Sequence, residues 1–211
     1  MAEITAQDLR AMFSAIAATI AENRDRLSEL DGVIGDADHG ITMELGFSTV
    51  KTSLATSEAE TDLGAIFNLA AKSFLNAVGA SSGPLYATAF MRAGAVLKGK
   101  TTAGDEDMVK AFAAMAKGIE DRGKAVPGEK TMVDAWRPAA DAAEAEFAKG
   151  AALAVCLKAA ADAASAGAEA TKSMLATKGR ASRLGERVLG HADPGAVSAA
   201  LVVATMAESL G

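Results

Sequence analysis

Residues 151–175 read AALAVCLKAAADAASAGAEATKSML, a stretch in which alanine is the commonest residue and proline is absent. Alanine has the highest helix propensity of all residues and is uncommon in strands, so this stretch predicts a long helix. The same bias extends over the whole chain: of 211 residues, 50% are hydrophobic, about a quarter are alanine and only 4% are aromatic. We therefore predict an all-α protein with enough apolar side chains to form a core.

Charge and cysteine content exclude several classes of protein. The formal net charge is −6 and aromatic residues for base stacking are scarce, so we expect no nucleic acid partner. Cys156 is the single cysteine and cannot form an internal disulfide, which is typical of a reducing compartment. Residues 1–4 lack the pattern of a secretory signal, and the most apolar stretch, 196–207, is shorter than the roughly 20 residues of a membrane span. We expect a cytoplasmic protein that does not enter a membrane.

Helical spacing of apolar residues continues along almost the whole chain and is interrupted by polar, glycine-rich segments. It predicts about eight amphipathic helices, beginning near residues 5, 42, 61, 84, 105, 131, 151 and 193. Because no linker or internal repeat is visible, residues 1–211 are predicted to form one domain. Short connections make consecutive helices antiparallel, which places alternate connections at the same end of a bundle. The polar segments 31–40, 79–84, 123–131 and 179–195 are alternate connections, so we expect them to meet.

The most informative polar segment is 31–40, with the sequence DGVIGDADHG. Asp31, Asp36 and Asp38 supply three hard oxygen ligands, which favour Mg²⁺ over zinc. The spacing excludes an EF-hand, because Ile41 would stand where that loop requires glycine. The alternative is that the aspartates only form turns and cap helices. Three of them beside His39 and three glycines favour the metal site.

Two further polar segments offer contacts for phosphate. Ser81 and Ser82 precede Pro84 at the predicted start of a helix, where free N–H groups and the helix dipole favour an anion. The same Ser-Gly-Pro pattern also simply begins helices. Arg180 can present its guanidinium to a phosphate, although most surface arginines are only solvated.

One segment imitates a known phosphate-binding loop. Residues 94–101, GAVLKGKT, match the pattern G-x-x-x-x-G-K-[ST]. A true P-loop follows a β-strand and enters a helix, whereas residues 86–97 have the composition of a helix. We therefore interpret this segment as the C-terminal end of a helix, which glycine and lysine suit.

Four stretches of the chain resemble the nucleotide-binding L subunits of bacterial dihydroxyacetone kinases. They are 35–40 (GDADHG), 79–85 (GASSGPL), 122–132 (RGKAVPGEKTM) with Asp134 and Trp136, and 179–187 (GRASRLGER) with 190–191 (GH) and 193–196 (DPGA). They occur in the order found in the family and span nearly the whole chain. Departures are small: Thr42 stands where asparagine is common, and Arg183 replaces a frequent aromatic residue.

The resemblance implies a closed barrel of eight antiparallel helices that holds ADP or ATP and two Mg²⁺ ions at one end. By similarity, Asp31, Asp36 and Asp38 hold the metals and, together with Arg180, serve the phosphoryl transfer. Residues 39–42 and the two serines would lie along the phosphates, 123 and 132 would line the adenine pocket, and 193–195 would close over the nucleotide. The implied nucleotide contacts are thus His39, Gly40, Ile41, Thr42, Ser81, Ser82, Gly123, Met132, Arg180, Asp193, Pro194 and Gly195.

The family also implies partners. A DhaK-type subunit would hold the hydroxyketone substrate, so we expect a phosphotransferase with an alcohol acceptor that is inactive alone. Two phosphoryl donors stay open. Either bound ADP is a coenzyme recharged by a DhaM-type protein of the phosphotransferase system, which the close motif match favours, or ATP exchanges as the substrate of a two-subunit triose or tetrose kinase.

Two other classes of function stay open beside the kinase. A nucleotide-bound sensor that binds a transcription regulator is the non-enzymatic hypothesis. A metal-dependent phosphatase is the other, and the single carboxylate cluster without an evident nucleophile disfavours it.

Overall fold

The computed structural model describes residues 3–79 and 81–211. Met1 and Ala2, which belong to the segment examined for a secretory signal, and Ala80 of the polar segment 79–84 lie outside the described residues. The described residues form nine α-helices, and these confirm the all-α prediction. The helices are α1 (Ala6–Glu22), α2 (Arg24–Ile34), α3 (His39–Ala55), α4 (Leu63–Ala77), α5 (Ser82–Val96), α6 (Asp105–Gly123), α7 (Val133–Ala148), α8 (Leu153–Ala170) and α9 (Pro194–Leu210).

Shorter elements complete the fold. Two 3₁₀ segments, Thr171–Ser173 and Ala181–Val188, lie between α8 and α9. Two strands, β1 (Ile4–Thr5) and β2 (Thr102–Ala103), form one antiparallel pair. The sequence analysis predicted no strands, because two residues are too few to show an alternating pattern.

Eight of the nine helices form a closed ring. Each of α3 to α8 packs against the next helix along the chain, α1 packs on α3, and α9 returns to pack on α1. The additional helix, α2, packs against α3 and α9. It arises because the first predicted helix ends at Asn23, whose side-chain amide donates a hydrogen bond to the carbonyl oxygen of Thr19 at 2.9 Å. Such a local bond competes with continuation of the helix.

The interior of the ring is filled by aromatic side chains and alanine. Phe13, Phe47 and Phe90 are buried, and Phe90 meets each of the other two edge to face, with ring centroids 5.3 Å apart for Phe13 and 6.3 Å apart for Phe47. Where α7 and α8 touch, Gly167 lies so close to Asp134 that a Cβ atom there would stand 1.9 Å from the carbonyl oxygen. Small residues therefore let the helices approach, and the few large ones fill the centre.

The antiparallel order of the helices places the functional segments. The connections that follow α2, α4, α6 and α8 border one cavity, as the alternation of the predicted connections requires. The opposite end carries the β1–β2 pair and the connection after α5. The segment that imitates a P-loop is there, since α5 runs directly into it and Lys100 donates from its backbone to Leu97. In the part of the chain that the structure describes, no helix has the length and apolar character needed to cross a membrane.

Candidate metal and phosphate site

A cavity of about 550 Å³ opens at the end of the ring where the four connections meet. This is within the usual size of a site for a small molecule. The walls come from both polar and apolar side chains. Of the residues predicted from the sequence, those that line it are Asp31, Asp36, Asp38, His39, Thr42, Ser81, Ser82, Gly123, Met132, Arg180, Asp193, Pro194 and Gly195.

The three predicted metal ligands form one cluster. One oxygen from each of Asp31, Asp36 and Asp38 lies within 4.8 Å of the other two. Asp31 is buried near the end of α2, and its carboxylate accepts hydrogen bonds from the backbone N–H groups of Asp38 at 3.0 Å and His39 at 3.3 Å. Ala37 takes a left-handed conformation, with φ 63°, and turns the chain between Asp36 and Asp38.

The cluster fits a hard divalent cation. Three carboxylates at this separation repel one another, and a bound positive charge would offset the repulsion. Oxygen ligands with space left for water and phosphate are those that Mg²⁺ prefers. The cavity provides space for water and phosphate beside the ligands, since Asp36 and Asp38 are exposed and line it.

Arg180 supplies the positive charge that faces the cluster. Its guanidinium forms an ion pair with the carboxylate of Asp36, although the two residues are distant in sequence. The side chain is more than half exposed, so it can also reach a ligand in the cavity. This position confirms that the connection between α8 and α9 folds over the acidic segment.

His39 is held in place by the last helix of the ring. Its Nε2 atom lies 2.8 Å from the hydroxyl oxygen of Ser198, and that hydroxyl donates to the carbonyl oxygen of Gly195 at 3.0 Å. Both contacts are satisfied together when the ring donates from Nε2 to the hydroxyl oxygen of Ser198. Burial lowers the pKa of His39 below its ordinary value of 6.5 and so favours the neutral ring. The negative charge of Asp31 acts in the opposite direction but is the smaller effect.

Four helices, α3, α5, α7 and α9, begin at this end of the ring. The N-terminus of a helix carries a partial positive charge and backbone N–H groups without intrahelical partners. In α9 the Asp193 carboxylate caps the helix by accepting from the N–H of Ala196 at 2.7 Å. In α5 the described residues include no such cap, and Ser81 and Ser82 stand at the start of the helix. The helix ends therefore favour an anion, in agreement with the sequence analysis.

Two of the implied phosphate contacts do not line the cavity. Gly40 is buried against α2, where a Cβ atom would stand 1.9 Å from the carbonyl oxygen of Arg24. The side chain of Ile41 is 58% exposed. Both residues are in the first turn of α3, so only their backbone remains near the site.

The structure adds wall residues to which the sequence analysis gave no role. The most unusual is Lys130, whose side chain is only 2% exposed and whose ammonium group donates to the carbonyl oxygens of Thr171 and His191. Its contacts are 41 and 61 residues away in sequence, and no local pattern indicates them. The apolar wall comes from Ile34, Leu85, Ile119, Ala125 and Val133.

Comparison with known proteins identifies the family. Residues 33–208 match the family model described as the DAK2 domain. The chain belongs to the DAK2 domain family. A relative of this DAK2 domain is the ADP-binding subunit DhaL of the PEP-dependent dihydroxyacetone kinase 1 of Listeria innocua. It is 40% identical over 190 residues, which cover 90% of this chain and 89% of the relative.

A second relative and a solved structure support this assignment. The ADP-binding subunit DhaL of the PEP-dependent dihydroxyacetone kinase of Escherichia coli is 40% identical over 181 residues, 86% of each chain. The crystal structure of the dihydroxyacetone kinase from C. freundii in complex with AMP-PNP and Mg²⁺ matches with a TM-score of 0.73 and 30% identity. The match covers 95% of this DAK2 domain and 33% of that longer chain.

Proposed function

We propose that this DAK2 domain is the nucleotide-binding subunit of a dihydroxyacetone kinase, and that it holds ADP or ATP with two Mg²⁺ ions in the 550 Å³ cavity. The observation that carries the proposal is the cluster of Asp31, Asp36 and Asp38 facing Arg180 at the end where four helices begin. The names of the relatives and the contents of the C. freundii crystal support the choice of ligand.

The charge of the cluster favours two ions over one. The three carboxylates bring a charge of about −3. With the paired guanidinium of Arg180 counted, one Mg²⁺ leaves the site near neutral, whereas two leave it at about +2 and attract a polyphosphate. When bound, the ions supply charge neutralisation and orientation of the phosphates, which are the main requirements of phosphoryl transfer.

The chain's own residues bind and orient the nucleotide. The start of α5, with Ser81 and Ser82, and the guanidinium of Arg180 offer donors to phosphate oxygens. The apolar wall around Met132 and Leu85, beside Gly123, offers a surface for the adenine ring. Residues 193–195 border the same cavity and would close over the nucleotide.

The acceptor and the donor require partner proteins. Because both relatives are subunits of dihydroxyacetone kinases, we propose that a DhaK-type subunit presents dihydroxyacetone or a related triose or tetrose at the open end of the cavity, and that the chain alone is inactive. We further propose that bound ADP is a coenzyme, recharged by a DhaM-type protein, because both relatives are PEP-dependent enzymes. The alternative donor is ATP that exchanges at every turnover.

The first experiment asks what the purified chain contains. Mass spectrometry under native conditions is expected to detect ADP with Mg²⁺, and a chelator is expected to release both. The Asp36→Asn variant should carry neither, whereas Asp162→Asn, which changes an exposed carboxylate on α8, should match the wild type. A chain that binds no nucleotide at any Mg²⁺ concentration would contradict the proposal.

The second experiment separates the two donors. The chain is mixed with E. coli DhaK and dihydroxyacetone, and phosphorylation is followed either with E. coli DhaM, its phosphocarrier proteins and phosphoenolpyruvate, or with ATP. Transfer from phosphoenolpyruvate together with slow release of labelled ADP supports the coenzyme. Release of ADP within seconds, together with phosphorylation from ATP alone, would refute the coenzyme hypothesis and support ATP as a substrate that exchanges at every turnover.

A further inference from the structure

The segment that carries Arg180 is a long loop with a closed neck. It connects α8 to α9 through residues 171–193. At the neck, the N–H of Gly190 donates to the carbonyl oxygen of Lys172 at 2.8 Å, and the N–H of Asp193 donates to the hydroxyl of Thr171 at 2.9 Å. The two ends of the loop are therefore joined to each other before the chain enters α9.

Lys130 binds both ends of this neck from a different loop. Its ammonium group donates to the carbonyl oxygen of Thr171 on one end and to that of His191 on the other. Hydrogen bonds from a charged donor are about twice as strong as those between neutral groups. A single side chain therefore joins three segments: the connection after α6 and both ends of the Arg180 loop.

The neighbour of Lys130 makes a second attachment nearer to Arg180. The carbonyl oxygen of Glu129 accepts from the N–H of Thr177 at 3.3 Å, and its carboxylate accepts from the hydroxyl of Thr177 at 2.9 Å. The same carboxylate lies 3.6 Å from the ammonium group of Lys178. The loop is thus attached to Lys130 at its neck and to Glu129 at Thr177 and Lys178, three and two residues before Arg180.

The position of Lys130 is costly for an ordinary lysine. Its side chain is 2% exposed and its backbone is left-handed, with φ 60°. Burial lowers its pKa, against the opposing charges of Asp193 and Asp134. A buried charge in a strained backbone persists only where the surrounding structure requires it, and such positions cluster at functional sites. The helices do not need it to stay together, because α8 packs directly on α7 and α9.

We propose that Lys130 is a positioning residue, whose ammonium group closes the neck of the 171–193 loop and thereby holds Arg180 over Asp36 and the phosphates. The mechanical part depends only on the contacts described above. The part that concerns phosphate rests on the proposed function.

The mechanical part is tested by hydrogen exchange in the chain free of metal and nucleotide. In Lys130→Met, a variant of similar shape without the charge, exchange of peptides within 172–190 is expected to accelerate by about tenfold or more, because two charge-assisted bonds are lost. Peptides of α8 and α9 should keep their rates. Lys158→Met, which removes an exposed ammonium group from α8, is the matched control and should change nothing in the loop.

Two results would overturn the mechanical part. One is an unchanged loop in Lys130→Met. The other is equal acceleration in all helices, which would mean that Lys130 only supports the global fold. If the methionine variant does not fold, Lys130→Gln replaces the ammonium group with a shorter, uncharged donor. This variant must accelerate exchange in peptides within 172–190 and leave the rates of α8 and α9 unchanged.

The phosphate part is tested by a double-mutant cycle with Arg180. The affinity for ADP in excess Mg²⁺ is measured by calorimetry for the wild type, Lys130→Met, Arg180→Ala and the double variant. If Lys130 acts through Arg180, the Lys130→Met substitution weakens ADP binding at least about threefold when Arg180 is present and has no effect in the Arg180→Ala background. Losses that multiply would refute the coupling. A wild-type chain that fails to bind ADP would instead refute the proposed function, while the exchange result stands.

Discussion

Replacing Asp38 by asparagine is expected to have opposite effects on stability with and without ligand. Asp38 is exposed, and its carboxylate lies within 4.8 Å of those of Asp31 and Asp36. At that distance two unit charges in water repel by about 0.9 kcal/mol, and salt reduces this figure. The charge of Asp36 is partly compensated by Arg180. In the absence of metal, Asp38→Asn should therefore raise the free energy of unfolding by about 1 kcal/mol.

With ligand the order of stability should reverse. A ligand at 100 times its Kd stabilises the folded state by about 2.7 kcal/mol. For a chain of this length that corresponds to a rise in Tm of about 5–11 °C. Asp38→Asn removes one of the metal's charged ligands and should raise Kd by about 100-fold, so its gain at the same concentration should be only about 0.4 kcal/mol.

Thermal unfolding is measured for both proteins with a chelator, with Mg²⁺, and with Mg²⁺ and ADP. The matched control is Glu58→Gln, an exposed carboxylate in the connection between α3 and α4 at the opposite end of the ring. It should follow the wild type under all three conditions. If Mg²⁺ and ADP raise the Tm of Asp38→Asn as much as that of the wild type, the metal assignment is refuted. If the variant is less stable than the wild type in the presence of the chelator, the repulsion between the carboxylates is refuted.

Two further predictions concern the frame of the site. In Gly40→Ala the new Cβ would meet the carbonyl oxygen of Arg24 at 1.9 Å, so denaturant unfolding should show a loss of about 1–3 kcal/mol. Gly104→Ala, which meets no heavy atom within 4 Å, is its control, and an equal loss in both would contradict the packing role. Burial raises the pKa of Asp193 from 3.8 to about 7. Between these values the folded chain binds a proton that the unfolded chain releases, so the free energy of unfolding should fall as pH rises from about 4 to 7. In Asp193→Asn, which keeps the helix cap, this fall should disappear. Parallel profiles of the free energy of unfolding against pH for the wild type and the variant, both without ligand, would contradict the prediction.

Much of this architecture is visible in the sequence, because its causes are local or periodic. The spacing of apolar residues predicted the helices, and their antiparallel order was enough to bring four distant polar segments to one end. The aspartates of 31–38 were recognisable since three oxygen ligands are close in sequence. The break at Asn23 was not predicted, because it depends on one side chain competing with the helix. The role of Lys130 was not predictable, because its partners at Thr171 and His191 are brought to it only by the closed ring.

The left-handed residues show where side chains were kept at a cost. In an L-residue this conformation costs roughly 1–2 kcal/mol, and glycine avoids the cost. At the end of the ring opposite the site, the left-handed positions in the described chain are Gly99 and Gly150. At the site end, Ala37, Lys124 and Lys130 take it as well, although glycine would be less strained. Stability alone does not favour a side chain at these positions. For Lys130 the hydrogen bonds to Thr171 and His191 give a reason to keep the side chain. Ala37, between Asp36 and Asp38, and Lys124, at the end of α6, add two further strained residues at the site end of the ring, where strained backbone is expected to cluster.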